Sequence, residues 1–202
     1  MEQQRRTQKQ RVEESARRLA DAAVALIAEK GYAATTAQEI GLRAGYSRDM
    51  VRVRYGTKEA LVDSILSTLY ESRLRGRDEE REASGLDRVL GVARLLHTFA
   101  VEDSTLLRAM FALNFEAAQA DDFLRQRVNR WLDDSLAEIR AAVETGRLDG
   151  TVASHVDPIA QSREMLATVI GYAYLWTINP DNFDLPDTLL VWMRKLEATL
   201  AP

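Results

Sequence analysis

Apolar residues recur at helical spacing along most of the chain. Between Gln8 and Lys30 they lie three and four positions apart, which places them on one face of an α-helix. Gly31 follows as a typical helix stop. The buried stripe of this first helix is predicted to consist of Val12, Ala16, Leu19, Ala20, Ala23 and Ile27.

The same spacing predicts helices from Thr57 to the end of the chain. The first of these begins KEALVDSILSTLY and is expected to continue through the charged run ESRLRGRDEERE to about Ser84. Further helices are predicted over Leu86–Ala100, from Asp103 or Ser104 through TLLRAMFALNFEAA, and over 121–146, 158–179 and 186–200. Alternating strand patterns and internal repeats are missing, so the predicted fold class is all-α.

The stretch from Thr36 to Tyr55 reads as two short helices joined by a tight turn. Thr36 and Glu39, three residues apart, form a potential capping box at the start of the first helix. Gly45 is expected to end that helix, and Ser47 to cap a second helix that runs from Arg48 to about Tyr55. This arrangement is typical of the helix-turn-helix, whose second helix enters the DNA major groove.

The second helix has one apolar face and one charged face. At about 100° per residue, Val51 and Tyr55 face the preceding helix. The opposite face carries Arg48, Asp49, Arg52 and Val53, with Met50 and Arg54 at its flanks. A charge run is usually a solvated surface, but here it coincides with two capped, turn-linked helices, which favours DNA binding.

Charge is distributed unevenly along the chain. The net charge is −4, yet residues 1–58 hold 12 basic and 7 acidic side chains and residues 59–202 hold 15 and 24. A basic first third on an acidic body is what a DNA-binding head on a separate domain would show. We therefore predict a helix-turn-helix domain over 1–56 and a helical effector-binding and dimerisation domain over 57–202. The arm that carries Arg5, Arg6 and Lys9 would follow phosphates or serve only as a solubilising tail.

Other classes of protein are disfavoured by composition. The chain has no Cys, a polar start without an apolar signal core, and no run of about 18 apolar residues, so a cytoplasmic location is expected. The two histidines, His97 and His155, are not accompanied by a G-x-S-x-G motif or a Gly-rich phosphate loop. An enzyme, a cofactor and a metal site are therefore not expected.

Three segments of the first third of the chain match sequence motifs of a known protein family. They are AEKGYAATT (28–36), IGLRAGYS (40–47) and RYGTKEAL (54–61). On these segments the first third of the chain resembles the TetR family of transcriptional repressors. The resemblance implies a three-helix DNA-binding head, a helical body and a homodimer. One departure is that many members carry aromatic residues where this chain has Arg52 and Val53, so its operator is not expected to match that of a relative.

The resemblance, together with the helix faces, assigns roles to individual residues. The candidate base readers are Gln38, Arg48, Asp49, Met50, Arg52 and Val53. Arg52 can bind guanine in a bidentate manner, and Asp49 either accepts from cytosine or holds a neighbouring arginine. The candidate phosphate contacts are Thr36, Arg54, Tyr55 and Lys58, although the Tyr55 ring is expected in the core.

The resemblance also implies that the last two helices pair with their copies as a four-helix bundle. The segment MLATVIGYAYLWTI, from Met165 to Ile178, is apolar nearly all round and must be covered on two sides. Gly171 would allow a close helix approach. A monomer that buries this helix centrally is the alternative, but a dimer fits a palindromic operator with two half-sites.

Bodies of this family commonly hold a small-molecule effector. Polar or aromatic groups at otherwise apolar positions suit a lipophilic or aromatic ligand; they are His97, Phe111, Asn114, Phe115, Trp131, Tyr172 and Trp176. Plain core packing is the alternative for each aromatic residue. His97 and Asn114 are the better candidates because a buried polar group needs a partner.

The sequence thus predicts a ligand-responsive regulator, a repressor by resemblance. An activator, or a regulator without effector, stays open. So does a helical interaction module that does not read DNA sequence, which the steep salt dependence of DNA binding would distinguish.

Overall fold

The computed structural model describes residues 8–71, 83–120 and 122–202, and this part of the chain is all-helical. The head comprises α1 (Gln8–Lys30), α2 (Ala37–Arg43), α3 (Met50–Tyr55) and α4 (Lys58–Ile65), and α4 is followed by a π-helical segment over Leu66–Glu71. The body comprises α5 (Gly85–Glu102), α6 (Ser104–Ala117), α7 (Asp122–Asp149), α8 (Pro158–Ile178) and α9 (Leu185–Leu200). By contacts the chain divides into two compact units, Met1–Arg73 and Leu74–Pro202.

The core of the first unit is formed where its four helices meet. α1 packs on α2 and α4, and α3 packs on both α2 and α4. Leu19, Ile40, Val51 and Leu61 are completely buried there. α2, α3 and α4, with 7, 6 and 8 residues, are too short to be stable alone, so burial of these apolar faces stabilises them.

The sequence predicted the bounds of α1 correctly, but two details of the head are wrong. Val12, expected in the buried stripe, is 45% exposed because it lies in the second turn of α1, ahead of the buried segment that begins at Ser15. Ser47 does not cap α3, which begins at Met50 and not at Arg48. Residues 47–49 instead form a turn closed by a hydrogen bond from Met50 N–H to the Ser47 carbonyl, at 3.1 Å.

The core of the second unit lies between α5, α7 and α9. It is centred on Val89, Ile139, Val143, Met165 and Leu200, and Trp192 packs against it. α6 packs on α5, α7 and α8, and α8 packs mainly on α7. This layering places α6 and α8 side by side, where most of the predicted effector residues lie.

The predicted end of α7 at Gly146 is wrong, because the helix continues to Asp149. Gly146 is a packing residue: a Cβ on Gly85 would lie 1.9 Å from its backbone nitrogen. The start of α5 therefore crosses the end of α7 in backbone contact. Asp149 strengthens this crossing, since its Oδ2 accepts from the Gly85 N–H at 2.8 Å. The helix ends at Gly150 as expected of an Asp-Gly turn, with φ of 78°.

The predicted start of α7 at residue 121 lies outside the described residues, and so do two further sequence predictions. These are the start of the basic arm, including Arg5 and Arg6, and the helical continuation through the charged run at 72–82. Within the described ranges, no helix is long and apolar enough to cross a membrane.

Candidate DNA-binding and effector sites

The first turn of α2 is fixed by a complete capping box. The Glu39 N–H donates to Thr36 Oγ1 at 3.2 Å, and the Thr36 N–H donates to Glu39 Oε2 at 3.0 Å. Lys30, at the end of α1, donates to the other oxygen of Glu39 at 2.6 Å. Hydrogen bonds from Lys30 and then Thr36 lower the pKa of Glu39 to about 2. The start of α2 is thereby tied to the end of α1 through a carboxylate that stays ionised.

The turn between α2 and α3 depends on two glycines for different reasons. Gly45 has φ of 80°, a left-handed conformation that side chains rarely adopt. Gly41 lies inside α2, but a Cβ there would be 2.4 Å from the Ser47 carbonyl oxygen. The Tyr46 N–H donates to the Gly41 carbonyl at 2.9 Å. The backbone of the turn thus packs directly on α2, which sets the angle at which α3 leaves it.

α3 presents the charged face that its periodicity predicts. Arg48, Asp49, Arg52 and Val53 are exposed, whereas Val51 is completely buried against the rest of the head. Val53 is 74% exposed, an unusual position for a branched apolar side chain. Arg52 Nε lies 3.6 Å from Asp49 Oδ1, so the carboxylate holds the near side of the guanidinium.

The predicted phosphate contacts differ in their availability. Thr36 is exposed, as is Gln38 among the predicted base readers, but Arg54, Tyr55 and Lys58 are half-buried, as is Met50. Arg54 donates to Ser15 Oγ on α1 at 3.0 Å and lies 5.8 Å from the Tyr55 ring centroid. Lys58 donates to two backbone carbonyls. Both cations therefore have internal partners that the sequence analysis did not anticipate.

In the body, part of the predicted effector set lies along α6 and α8. Phe111 and Phe115 stack at 6.2 Å, and Phe115 meets Tyr174 edge-on at 5.6 Å. The Arg108 guanidinium lies 4.5 Å from the centroid of the buried Trp176 ring. Sequence reasoning missed Arg108 and Tyr174; a lone cation inside an apolar helix was the available signal for the first.

The remaining members do not join this aromatic group. Tyr172 contacts Phe183 and Trp192 instead, each at 6.1 Å between centroids. Asn114 donates to the Met110 carbonyl of its own helix at 2.9 Å, which satisfies its amide. Trp131 is half-buried on α7.

His97 lies in a groove between α5 and α9, of about 640 Å³. The groove has an apolar floor and a charged rim, and the residues around His97 are Leu90, Arg94, Thr98, Leu190, Met193, Arg194 and Glu197. None of the other six predicted effector residues lines it.

The sequence of residues 19–65 matches the family model for bacterial regulatory proteins of the tetR family. This segment runs from the middle of α1 to the last residue of α4 and so includes the whole helix-turn-helix. The chain belongs to the TetR family. As a TetR-family regulator it binds DNA through this helix-turn-helix and is not an enzyme.

Its TetR-family relatives are similar over nearly the whole chain. The HTH-type transcriptional regulator TtgR of Pseudomonas putida is 25% identical over 194 residues, which is 94% of this chain and 92% of TtgR. The structure of FadR from Bacillus subtilis with stearoyl-CoA has a TM-score of 0.75 at 20% identity, covering 91% of this chain and 98% of FadR. The SmeT–triclosan complex has a TM-score of 0.70 at 22% identity, covering 93% of this chain and 92% of the SmeT chain. These structures share the all-helical fold of the TetR family.

Proposed function

We propose that this protein is a repressor that binds a palindromic operator as a homodimer and is released by a small lipophilic or aromatic effector. The observation that carries the proposal is the exposed face of α3. It combines exposed Arg52 and Val53 with exposed Arg48 in the turn just before the helix, while Val51 on the opposite side is completely buried. A rigid helix with this face outward is suited to reading base edges in a major groove.

In this proposal Arg52 is the principal base reader. Asp49 occupies the Nε side of its guanidinium, which leaves the two terminal nitrogens for a bidentate contact to guanine O6 and N7. Arg48, Gln38, Met50 and Val53 complete the reading surface, with Val53 suited to a thymine methyl group. Thr36 is the most accessible of the candidate phosphate contacts.

Exposed apolar side chains on α8 and α9 support the homodimer. Leu175 and Ile178 on α8 are 49% and 67% exposed, and Leu190 and Val191 on α9 are 41% and 42% exposed. A Cβ at Gly171, one turn before Leu175, would meet no atom within 4 Å. Such a surface, with a small residue one turn before Leu175, suits close packing against a second copy of the same two helices.

The aromatic residues along α6 and α8 support the effector class. Phe115 is half-buried and stacks on the buried Phe111, and Arg108 places a positive charge beside the buried Trp176. Two of the similar structures are complexes with ligands of this general character: triclosan with SmeT and stearoyl-CoA with FadR. For this chain we propose a ligand with an aromatic or long apolar part that contacts these rings.

Fluorescence anisotropy on DNA fragments from the region upstream of its own gene tests the proposal. Binding to one palindromic fragment should be tight in excess competitor DNA and should weaken steeply with salt. A screen of aromatic and acyl compounds should then identify one that releases the DNA. Equal, weak binding to every fragment would contradict the sequence-reading role of α3.

A further inference from the structure

We propose that Lys58 is a positioning residue for DNA binding and not a phosphate ligand. It joins the start of α4 to the loop between α1 and α2, and through that loop it fixes the start of α2. We call the group formed by Lys58, Glu59, Tyr32 and the Thr35 carbonyl the α4 clasp. The proposal rests on the geometry of the clasp and is independent of effector and oligomeric state.

The ammonium of Lys58 is already engaged inside the head. Its Nζ donates to the Tyr32 carbonyl at 3.0 Å and to the Thr35 carbonyl at 2.9 Å. It also lies 3.8 Å from the centroid of the Tyr32 ring. An ammonium has three N–H donors, and hydrogen bonds from a charged donor are stronger than neutral ones. Two of these donors are used by the carbonyls and the Tyr32 ring lies beside the ammonium, so a phosphate would compete with these groups for Lys58.

Tyr32 is held from its other end by the next residue of α4. It is 7% exposed, and its hydroxyl donates to Glu59 Oε1 at 3.1 Å. Burial raises the pKa of Glu59, but hydrogen bonds from its own N–H, from Thr57 and from Tyr32 outweigh burial and keep the pKa below its usual value. Two consecutive charged residues thus hold both ends of one tyrosine.

The clasp acts on the part of the head that meets DNA. Thr35 is 1% exposed, and its side chain donates to the Gly31 carbonyl at 2.7 Å. The next residue, Thr36, is the N-cap of α2, and Gln38 lies in the first turn. When Lys58 holds the Thr35 carbonyl, it fixes the point at which the chain enters α2. Without this bond, α2 and the α3 packed on it would sample orientations that fit the operator less well.

Lys58→Met separates the two roles when DNA affinity is measured over a range of salt concentrations. The substitution keeps the apolar stem and removes the ammonium. A positioning role predicts an affinity loss of roughly tenfold at a fixed salt concentration, with the slope of log K against log salt unchanged. A phosphate ligand predicts that the slope falls by about 0.9 for each phosphate that is no longer neutralised.

Two further variants make the experiment decisive. Tyr32→Leu disrupts the clasp without removing a charge, so it should lower affinity with the same unchanged slope; it also keeps the test valid if Lys58→Met does not fold. Arg17→Met removes an exposed positive charge of α1 that has no proposed DNA contact, and as the control it should leave both the affinity and the slope unchanged. The assay temperature is set below the unfolding transition of every variant, as monitored by circular dichroism.

A reduced slope for Lys58→Met, or full affinity for Tyr32→Leu, would overturn the proposal. So would unchanged affinity combined with a lower Tm, because the clasp would then be only a stabilising contact.

Discussion

The substitution Gly41→Ala should disturb the DNA-binding head. This is so although alanine is the best helix former and glycine, after proline, the poorest. In α2, helix propensity alone would make alanine more stable than glycine by about 0.5–1 kcal/mol. The new Cβ, however, would lie 2.4 Å from the Ser47 carbonyl oxygen, where ordinary contacts begin near 3.4 Å. The turn must therefore move by about 1 Å, and forced overpacking of this kind costs about 1–3 kcal/mol. The difference is a net loss of about 0–2.5 kcal/mol, with a central value of about 1 kcal/mol.

Thermal unfolding and operator binding measure this effect together. For the chain of 202 residues unfolding as one cooperative unit, a loss of 1 kcal/mol in the free energy of unfolding corresponds to about 2–4 °C in Tm. Affinity should also fall, because the displaced residue lies just ahead of α3. Gly45→Asn is the matched control in the same turn: its position has open space, and asparagine tolerates the left-handed conformation better than other residues. A Gly41→Ala variant that is as stable as the parent, and binds DNA as well, would refute the steric reasoning.

Three further predictions test other parts of the molecule. Arg52→Ala should cost about 1–3 kcal/mol of operator binding and relax preference at one base pair, whereas Asp49→Asn should lower affinity less; unchanged preference in a mutated-operator series would contradict the base-reading role. Glu39→Gln should lower Tm at pH 7, and the difference from the parent should shrink as the pH falls from about 4.5 through about 2, since the parent loses its ionised carboxylate there. Ile178→Glu should give monomers in light scattering, whereas Leu148→Glu, 90% exposed at the end of α7, should not.

The head could be predicted well because its signals are local. A capping box places both partners within one turn, so Thr36 and Glu39 suffice to define the start of α2. The charged face of α3 follows from the angle between successive residues. The predicted cap at Ser47 is wrong because the same local pattern also fits a turn over residues 47–49, which immediately precedes the helix. The predicted helix end at Gly146 is wrong for the opposite reason. Its small size allows a contact with Gly85, which is distant in sequence, and no local pattern indicates such a contact.

The effector residues were harder to group, because helical periodicity says which face of a helix is apolar but not which helix covers it. His97 and Tyr172 satisfied the same rule as Phe115, a polar or aromatic side chain on an apolar stripe. Yet His97 lies between α5 and α9, and Tyr172 contacts Trp192 of α9, while Phe115 meets α8.

The half-buried cations of the head show the same limit of sequence-based prediction, which does not reveal contacts between distant parts of the chain. The stretch RYGTKEAL marks Arg54 and Lys58 as basic residues close to DNA, and sequence alone assigns such residues to phosphates. Their partners are Ser15, Tyr32 and Thr35, which lie 39, 26 and 23 positions away. A basic residue beside a DNA-binding helix therefore has two possible uses, and only the long-range partner decides between them. In this head Arg54 holds α3 to α1 and Lys58 holds α4 to the loop before α2, whereas Arg48 and Arg52 are the arginines that we propose contact DNA.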